Sequence, residues 1–344
     1  MQLYGREWTR RELEARLGRL EQIGGIRKYE GTDGRERGMS YIQVNTGAGL
    51  SYTVTPTKGL DLSTVSFGGM PISWMSPGGD THPMYYDPDG VGWLRSASGG
   101  MLMTCGLANV GSPSIFRGKP FGLHGRIHHT PARQVCAEGM WNGDEYEMVV
   151  RGTVEEGALF DGMLQLRREI RSMLGENKIT VADIVDNIGY EAAPHMILYH
   201  FNFGFPFMNS NTQLAVPSSS IVPRAADIPL EGYDRFESPT ANYSERVYYH
   251  SLDPALRHAT VKLMQPEFPQ GGGRTIPLEV ELTWSTDTLP RFVEWKLPAE
   301  GSYVLGIEPS NCGVEGIAAE DEKGTLTWLQ PGQSVRYSWE LNIR

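Results

Sequence analysis

Cysteine is scarce in this chain: Cys105, Cys136 and Cys312 are the only three in 344 residues. An odd number without CxxC spacing excludes a disulfide framework and a zinc ribbon. Buried free thiols in a reducing cytoplasm are the expectation. No apolar run approaches the length of a membrane span, and the opening MQLYGREWTR has no apolar signal core. A soluble, cytoplasmic protein with no membrane partner is therefore expected. Positive charge is also in deficit, with 31 Lys and Arg against 41 Asp and Glu and a formal net charge of −10. Nucleic acids and anionic membranes favour a basic surface, so neither is expected as a partner. A small neutral or cationic molecule is easier to accommodate.

Several catalytic signatures are missing too. There is no Gly-x-Ser-x-Gly and no cysteine in a catalytic setting. Gly271–Gly272–Gly273 lacks the following Lys-Ser/Thr of a phosphate loop. Six of the eight histidines fall between residues 124 and 250, yet no HxxxH pair on a helix and no compact His/carboxylate motif marks a metal site. No cofactor and no metal are expected.

What the chain has is turns and short strands. It contains 41 Gly and 22 Pro, too many for a helical bundle. Residues 8–23 (WTRRELEARLGRLEQI) are the one clear helix, with Thr9 and Glu12 as a capping box and Leu13, Leu17 and Leu20 on one face. From about residue 40 onward, runs such as YIQVNTG, MLQLRREIRSML, HMILYHFNFGF and VRYSWELNI alternate apolar and polar residues, as half-buried antiparallel strands do. They are not interleaved with long helices, which argues for an all-β sandwich or barrel rather than βαβ units. The division expected is a helical extension over 1–39 and one β domain over 40–344. Residues 205–240 form the longest irregular stretch, the kind of loop that carries function in a compact β domain.

Three segments carry candidate chemistry. Tyr303–Asn311 (YVLGIEPSN) places Glu308 at the end of an apolar strand, which Pro309 is expected to stop because it has no N–H for a ladder. Desolvation there raises a carboxyl pKa toward the range of a general base. Glu308 could equally be a strand-end carboxylate facing water. In GLHGRIHHTPA, glycines flank Leu123 and His124. His124 and Arg126 point the same way if the segment is extended. In LYHFNFG, His200 and Asn202 share one strand face while Tyr199, Phe201 and Phe203 share the core-facing one. Imidazole suits proton transfer near neutral pH; a structural histidine is the plainer alternative. Lys58 and Asp61 flank Gly59 beside a strand, as a salt-bridged turn would. Trp74 and Trp93 could stack on a sugar or fill the core.

Taken together, GLHGR, LYHFNFG, YVLGIEPSN and a late LQPGQ, in that order along the chain, resemble the aldose 1-epimerases of the galactose mutarotase-like superfamily. TCGLANVG, LHGRIHHTPA, LYHFNFGFP and GIEPSN resemble most closely its DUF4432 branch, over most of the chain from about residue 40. The resemblance implies a β-supersandwich of antiparallel strands with a sugar cleft, and acid–base ring opening of a free sugar. Glu308 would take the anomeric proton, His200 would protonate the ring oxygen, and His124 would bind the sugar. The family's middle histidine stands four residues before its asparagine. Here that position is Leu198, and His200 lies two residues before Asn202. The family's early arginine is matched by Lys58. Its sugar-binding aspartate is matched by Asp234 (EGYDRF) or by Glu245 (SERVYYH). Arg126, Lys58, Asn202 and Trp74 complete the expected substrate contacts. Arg126 and Lys58 hint at an anionic substituent.

The activity this implies is that of an aldose 1-epimerase-like isomerase on a small-molecule carbohydrate. Two other functions use the same cleft: a lyase or isomerase acting on an oxidised sugar, metal-assisted or not, and a non-catalytic sugar-binding module. The sequence sets neither the sugar nor the oligomeric state.

Overall fold

The computed structural model describes residues 1–159 and 161–344. The chain is almost all antiparallel β. An eight-stranded sheet, a seven-stranded sheet and a five-stranded sheet account for most of it. Alternation decides which face is buried. In Met163–Met173, Leu164, Leu166, Arg168 and Ile170 point inward and the residues between them point outward, as a period of two requires.

The strand Ala193–Gly204 differs, since nearly every residue of it is buried. Its odd-numbered face packs against the eight-stranded sheet. Phe201 meets the Trp339 ring edge-on at 4.8 Å, and Tyr199 meets the same ring at 6.3 Å. Its even-numbered face carries His200 and Asn202 and looks the other way. On one side it pairs with Ser302–Ser310, Phe201 opposite Ile307 and Asn202 opposite Gly306. On the other it pairs with Leu102–Leu107, His200 opposite Met103.

Between the layers lies a buried ionic cluster. Arg168 donates to Asp61 (2.6 Å) and to Asp183 (2.7 Å), Tyr199 donates to Asp183, and His128 Nδ1 lies 2.7 Å from Asp61. A guanidinium shared by two carboxylates satisfies charges that would otherwise be costly to bury.

The N-terminal segment departs from its expected form. The helix covers only Arg10–Glu14, capped as expected by Thr9 and Glu12, and a separate 3-10 turn follows at Leu20–Gln22. Gly18 lies between them, and glycine costs about 1 kcal/mol in a helix interior. Residues 1–39 are not a helical extension alone. Gly25–Glu30 pairs along its whole length with Ser40–Asn45 and so joins the five-stranded sheet. Pro309 does not stop its strand either: it sits opposite Phe292 one residue before the end. The 205–240 stretch contains two short strands, Gln213–Ala215 and Ser218–Pro223, each at the edge of a different large sheet. None of the described helices is long and apolar enough to cross a membrane.

Candidate active site

One face of the seven-stranded sheet builds a cavity of about 680 Å³. Register explains its floor. Val293 lies opposite Glu308, Trp295 opposite Gly306 and Val247 opposite Trp295. Val247, Val293, Trp295, Glu308, His200 and Met103 therefore emerge on the same side and line the cavity. Loops add Trp74, Trp93, His124, Arg224 and Glu245.

The centre is the pair His200 and Glu308, with Nε2 and Oε1 3.1 Å apart and both side chains buried. The two touch at ion-pair distance without a formed hydrogen bond. Glu308 Oε1, His200 Nδ1 and Trp93 Nε1 are buried atoms without a hydrogen-bond partner. Unsatisfied polar atoms on a cavity wall are where a polar ligand is expected.

Burial pushes the Glu308 carboxyl up to about 8, Glu245 adding to the rise and Arg224 opposing it. Burial pushes the His200 imidazole down to about 3, with His124 adding to the fall. Both groups are thus neutral near pH 7, and one mobile proton, held on Glu308, serves the pair. A neutral acid beside a neutral base is the protonation-shifted form of an imidazolium–carboxylate pair.

Glycine makes the contact possible. A Cβ on Gly306 would stand 2.8 Å from Glu308 Oε1 and 3.1 Å from His200 Cε1. At Gly204 a Cβ would meet the Trp74 backbone at 2.7 Å, so glycine there lets the tryptophan loop close over the strand.

His124 has a positive φ of 55°, set in a turn rather than an extended segment. Its Nδ1 accepts from the Gly111 N–H at 3.3 Å, which leaves Nε2 as the N–H donor. Burial pushes it down to about 4, so it acts as a neutral donor.

Of the residues singled out by sequence, Glu308, His200, His124, Trp74 and Glu245 come together here. Four do not line this cavity. Arg126 is exposed, because the chain turns at 122–126 and then forms a 3-10 turn at Ile127–His129, so the two-residue parity linking it to His124 fails. Lys58 is buried away from the cavity. Its Nζ donates to the Ser96 carbonyl (2.5 Å) and Ser98 Oγ (2.7 Å), and burial pushes it down to about 7. Asn202 is fully buried, its Nδ2 donating to the His200 carbonyl. Asp234 lines a different cavity with Arg235 and Glu237, so of the two matched acids Glu245 is the one at the cleft.

Sequence reasoning missed Arg224 and Trp295. Trp295 shares parity with Val293 in RFVEWKL, a signal that was available. Arg224 follows Ser218–Pro223 within the irregular stretch, where no periodicity points to it. Its guanidinium is held by Glu315, Nε to Oε1 at 3.1 Å and Nη2 to Oε2 at 3.4 Å, and the Tyr249 hydroxyl donates to the same carboxylate at 2.5 Å. Among the described residues, no group of three or more His, Cys, Asp or Glu side chains is arranged to hold a metal ion.

A family profile described as "Domain of unknown function (DUF4432)" matches residues 36–343. No curated protein matches the chain. Among solved structures, a Klebsiella pneumoniae protein provisionally described as an aldose 1-epimerase is 25% identical with a TM-score of 0.81, over 92% of this chain and 83% of that one. A Synechocystis protein is 14% identical with a TM-score of 0.62, over 92% of this chain and 99% of its own. A galactose mutarotase-like protein from Clostridium acetobutylicum is 13% identical with a TM-score of 0.58, over 94% and 99% of the two chains. The large antiparallel sheets are those of the mutarotase-like β-supersandwich.

Proposed function

We propose that this chain, which belongs to the DUF4432 family and has the mutarotase-like fold, is a carbohydrate-active isomerase that interconverts the anomers of a free sugar. The observation that carries this reading is the buried contact between His200 Nε2 and Glu308 Oε1, 3.1 Å apart on a cavity wall. Anomer exchange requires one proton to leave the anomeric hydroxyl and one to reach the ring oxygen. A base and an acid on the same cavity wall perform both.

In the reactive form the shared proton resides on His200 and Glu308 is a carboxylate. Glu308 removes the proton from O1, the C1–O1 bond becomes a carbonyl, the bond from C1 to the ring oxygen breaks, and His200 gives its proton to that oxygen. Rotation about C1–C2 presents the other carbonyl face, and the same steps run backward. No proton is gained or lost overall. His124, a neutral donor through Nε2, supports the ring oxygen. Trp74 and Trp295 offer apolar walls for the sugar. Such acid–base assistance contributes roughly 10²–10⁴-fold to a rate.

The test is NMR exchange between anomers across a panel of aldoses. Wild-type protein should accelerate at least one sugar, and Glu308→Gln, which keeps the shape and removes the base, should lose roughly that factor. Equal, uncatalysed interconversion by both proteins for every sugar would overturn the reading.

A further inference from the structure

We propose that the sugar bound here carries a positively charged amino group, and that Glu245 and the tryptophans beside it form the subsite for that ammonium. The inference rests on the reading of this cavity as a sugar site and names the class of sugar.

The charges at the cavity are few. Arg95, Arg224, Glu245 and Glu308 are the charged-type residues that line it. Arg95 is a surface residue paired with Asp87 at 3.2 Å. Arg224 is compensated by the two oxygens of Glu315. Glu245 is different: among the described residues no cation lies within ion-pair distance of it. It accepts one hydrogen bond, from Trp295 Nε1 at 2.8 Å. Trp295 in turn meets the Trp74 ring edge-on with centroids 6.2 Å apart, and both indoles line the cavity. The same wall holds the buried, unpartnered Glu308 Oε1. The cavity therefore presents acceptors and indole rings, and both of its arginines are paired, Arg95 with Asp87 and Arg224 with Glu315.

This arrangement sorts sugars by charge. A carboxylate, sulfonate or phosphate would face Glu245 with no free cation to balance it. Lys58 and Arg126, the basic residues the sequence had offered for an anion, do not line the cavity. An ammonium would meet a carboxylate without a cation partner, beside two indole rings that line the same cavity, and carboxylate and indole together are a combination that recognises amines. An exposed ion pair and a cation–π contact each contribute modestly, and together they give on the order of tenfold in affinity.

The experiment is titration calorimetry of wild-type protein, Glu245→Gln and Glu245→Asp with glucose, galactose, their 2-amino-2-deoxy and 6-amino-6-deoxy counterparts, and the matching uronates. NMR anomer exchange is run on the same panel. At least one amino sugar should bind about tenfold more tightly than its neutral parent. That ratio should shrink with added salt, fall to about one in Glu245→Gln and be partly kept in Glu245→Asp. Amino sugars binding no better than their parents, uronates binding best, or a preference unchanged in Glu245→Gln would each overturn the inference. These outcomes are read from binding alone. Absence of exchange for every sugar would instead overturn the isomerase reading and leave the charge preference to be decided by the titrations.

Discussion

Glu308 and His200 touch at 3.1 Å from adjacent strands of one sheet, and neither of the two side chains completes its hydrogen bonding within the protein. Burial has displaced their proton affinities in opposite directions, so that the carboxyl holds the proton and the imidazole does not. The free site is therefore one proton transfer away from the imidazolium–carboxylate form that ring opening uses. Substrate hydroxyls bridging the two groups would supply the polar surroundings that favour charge separation.

The first consequence is a pH signature in stability. The Glu308 carboxyl is raised from 4.5 to about 8. Its preference for the folded state is fully present below pH 4.5 and is lost as pH climbs through about 8. The His200 imidazole is lowered from 6.5 to about 3, so its contribution is present above 6.5 and is lost as pH falls through 3. Glu308→Gln removes only the first of these. The Tm of wild type minus that of Glu308→Gln should fall between pH 4.5 and 8 by on the order of a few °C and then level off. Activity should decline above about pH 8, where the shared proton is lost. Thermal melts of both proteins across this range check the sign; a difference that rises with pH, or stays flat, contradicts the assignment.

The second consequence concerns Glu315. It does not line the cavity itself and acts by holding the Arg224 fork, with Tyr249 donating to the same carboxylate. Glu315→Gln weakens two charge-assisted bonds and frees the guanidinium to turn. KM should rise about 3- to 10-fold, by the usual worth of such bonds, with a smaller change in kcat. Tyr249→Phe should move KM the same way by less. A loss confined to kcat would place Arg224 in the chemistry rather than in binding.

How far the sequence revealed this site depended on whether local geometry held. LYHFNFG was legible because a strand turns every second side chain to one face in any setting. His200 faces the cavity and Tyr199, Phe201 and Phe203 face the core for that reason alone. GLHGR was half legible. The same parity was applied to a segment that is a turn, so His124 reached the cavity and Arg126 did not. Lys58 was misplaced because its fate is set by Ser96 and Ser98, distant in sequence, whose oxygens draw it into the interior. Arg224 could not be found because nothing periodic surrounds it; its position depends on the edge strand Ser218–Pro223 joining the sheet. The helix expected over 8–23 was too long because a leucine stripe says which face is apolar, not that Gly18 will stay helical.

The third consequence tests geometry apart from charge. Gly306 lies opposite both Trp295 and Asn202 on neighbouring strands, and its missing side chain is the space in which Glu308 and His200 meet. An added methyl would stand 2.8 Å from Glu308 Oε1 and 3.1 Å from His200 Cε1, and 3.1 Å from Trp295 Cβ. A side-chain end can retreat from such a contact more easily than backbone can. Gly306→Ala should therefore fold, with the carboxylate and imidazole pushed apart. A displacement near 1 Å at reacting groups costs on the order of 10²-fold in rate. The expected result is a fall of that size in kcat for anomer exchange, with far-ultraviolet circular dichroism unchanged and urea-unfolding stability lowered by about 1–3 kcal/mol, the usual cost of overpacking. Full activity in Gly306→Ala would mean that the close approach of Glu308 and His200 is not what drives exchange. A protein that lost activity only through unfolding would show it in the urea titration. Gly306→Ser, which adds a hydroxyl at the same point, should lose at least as much.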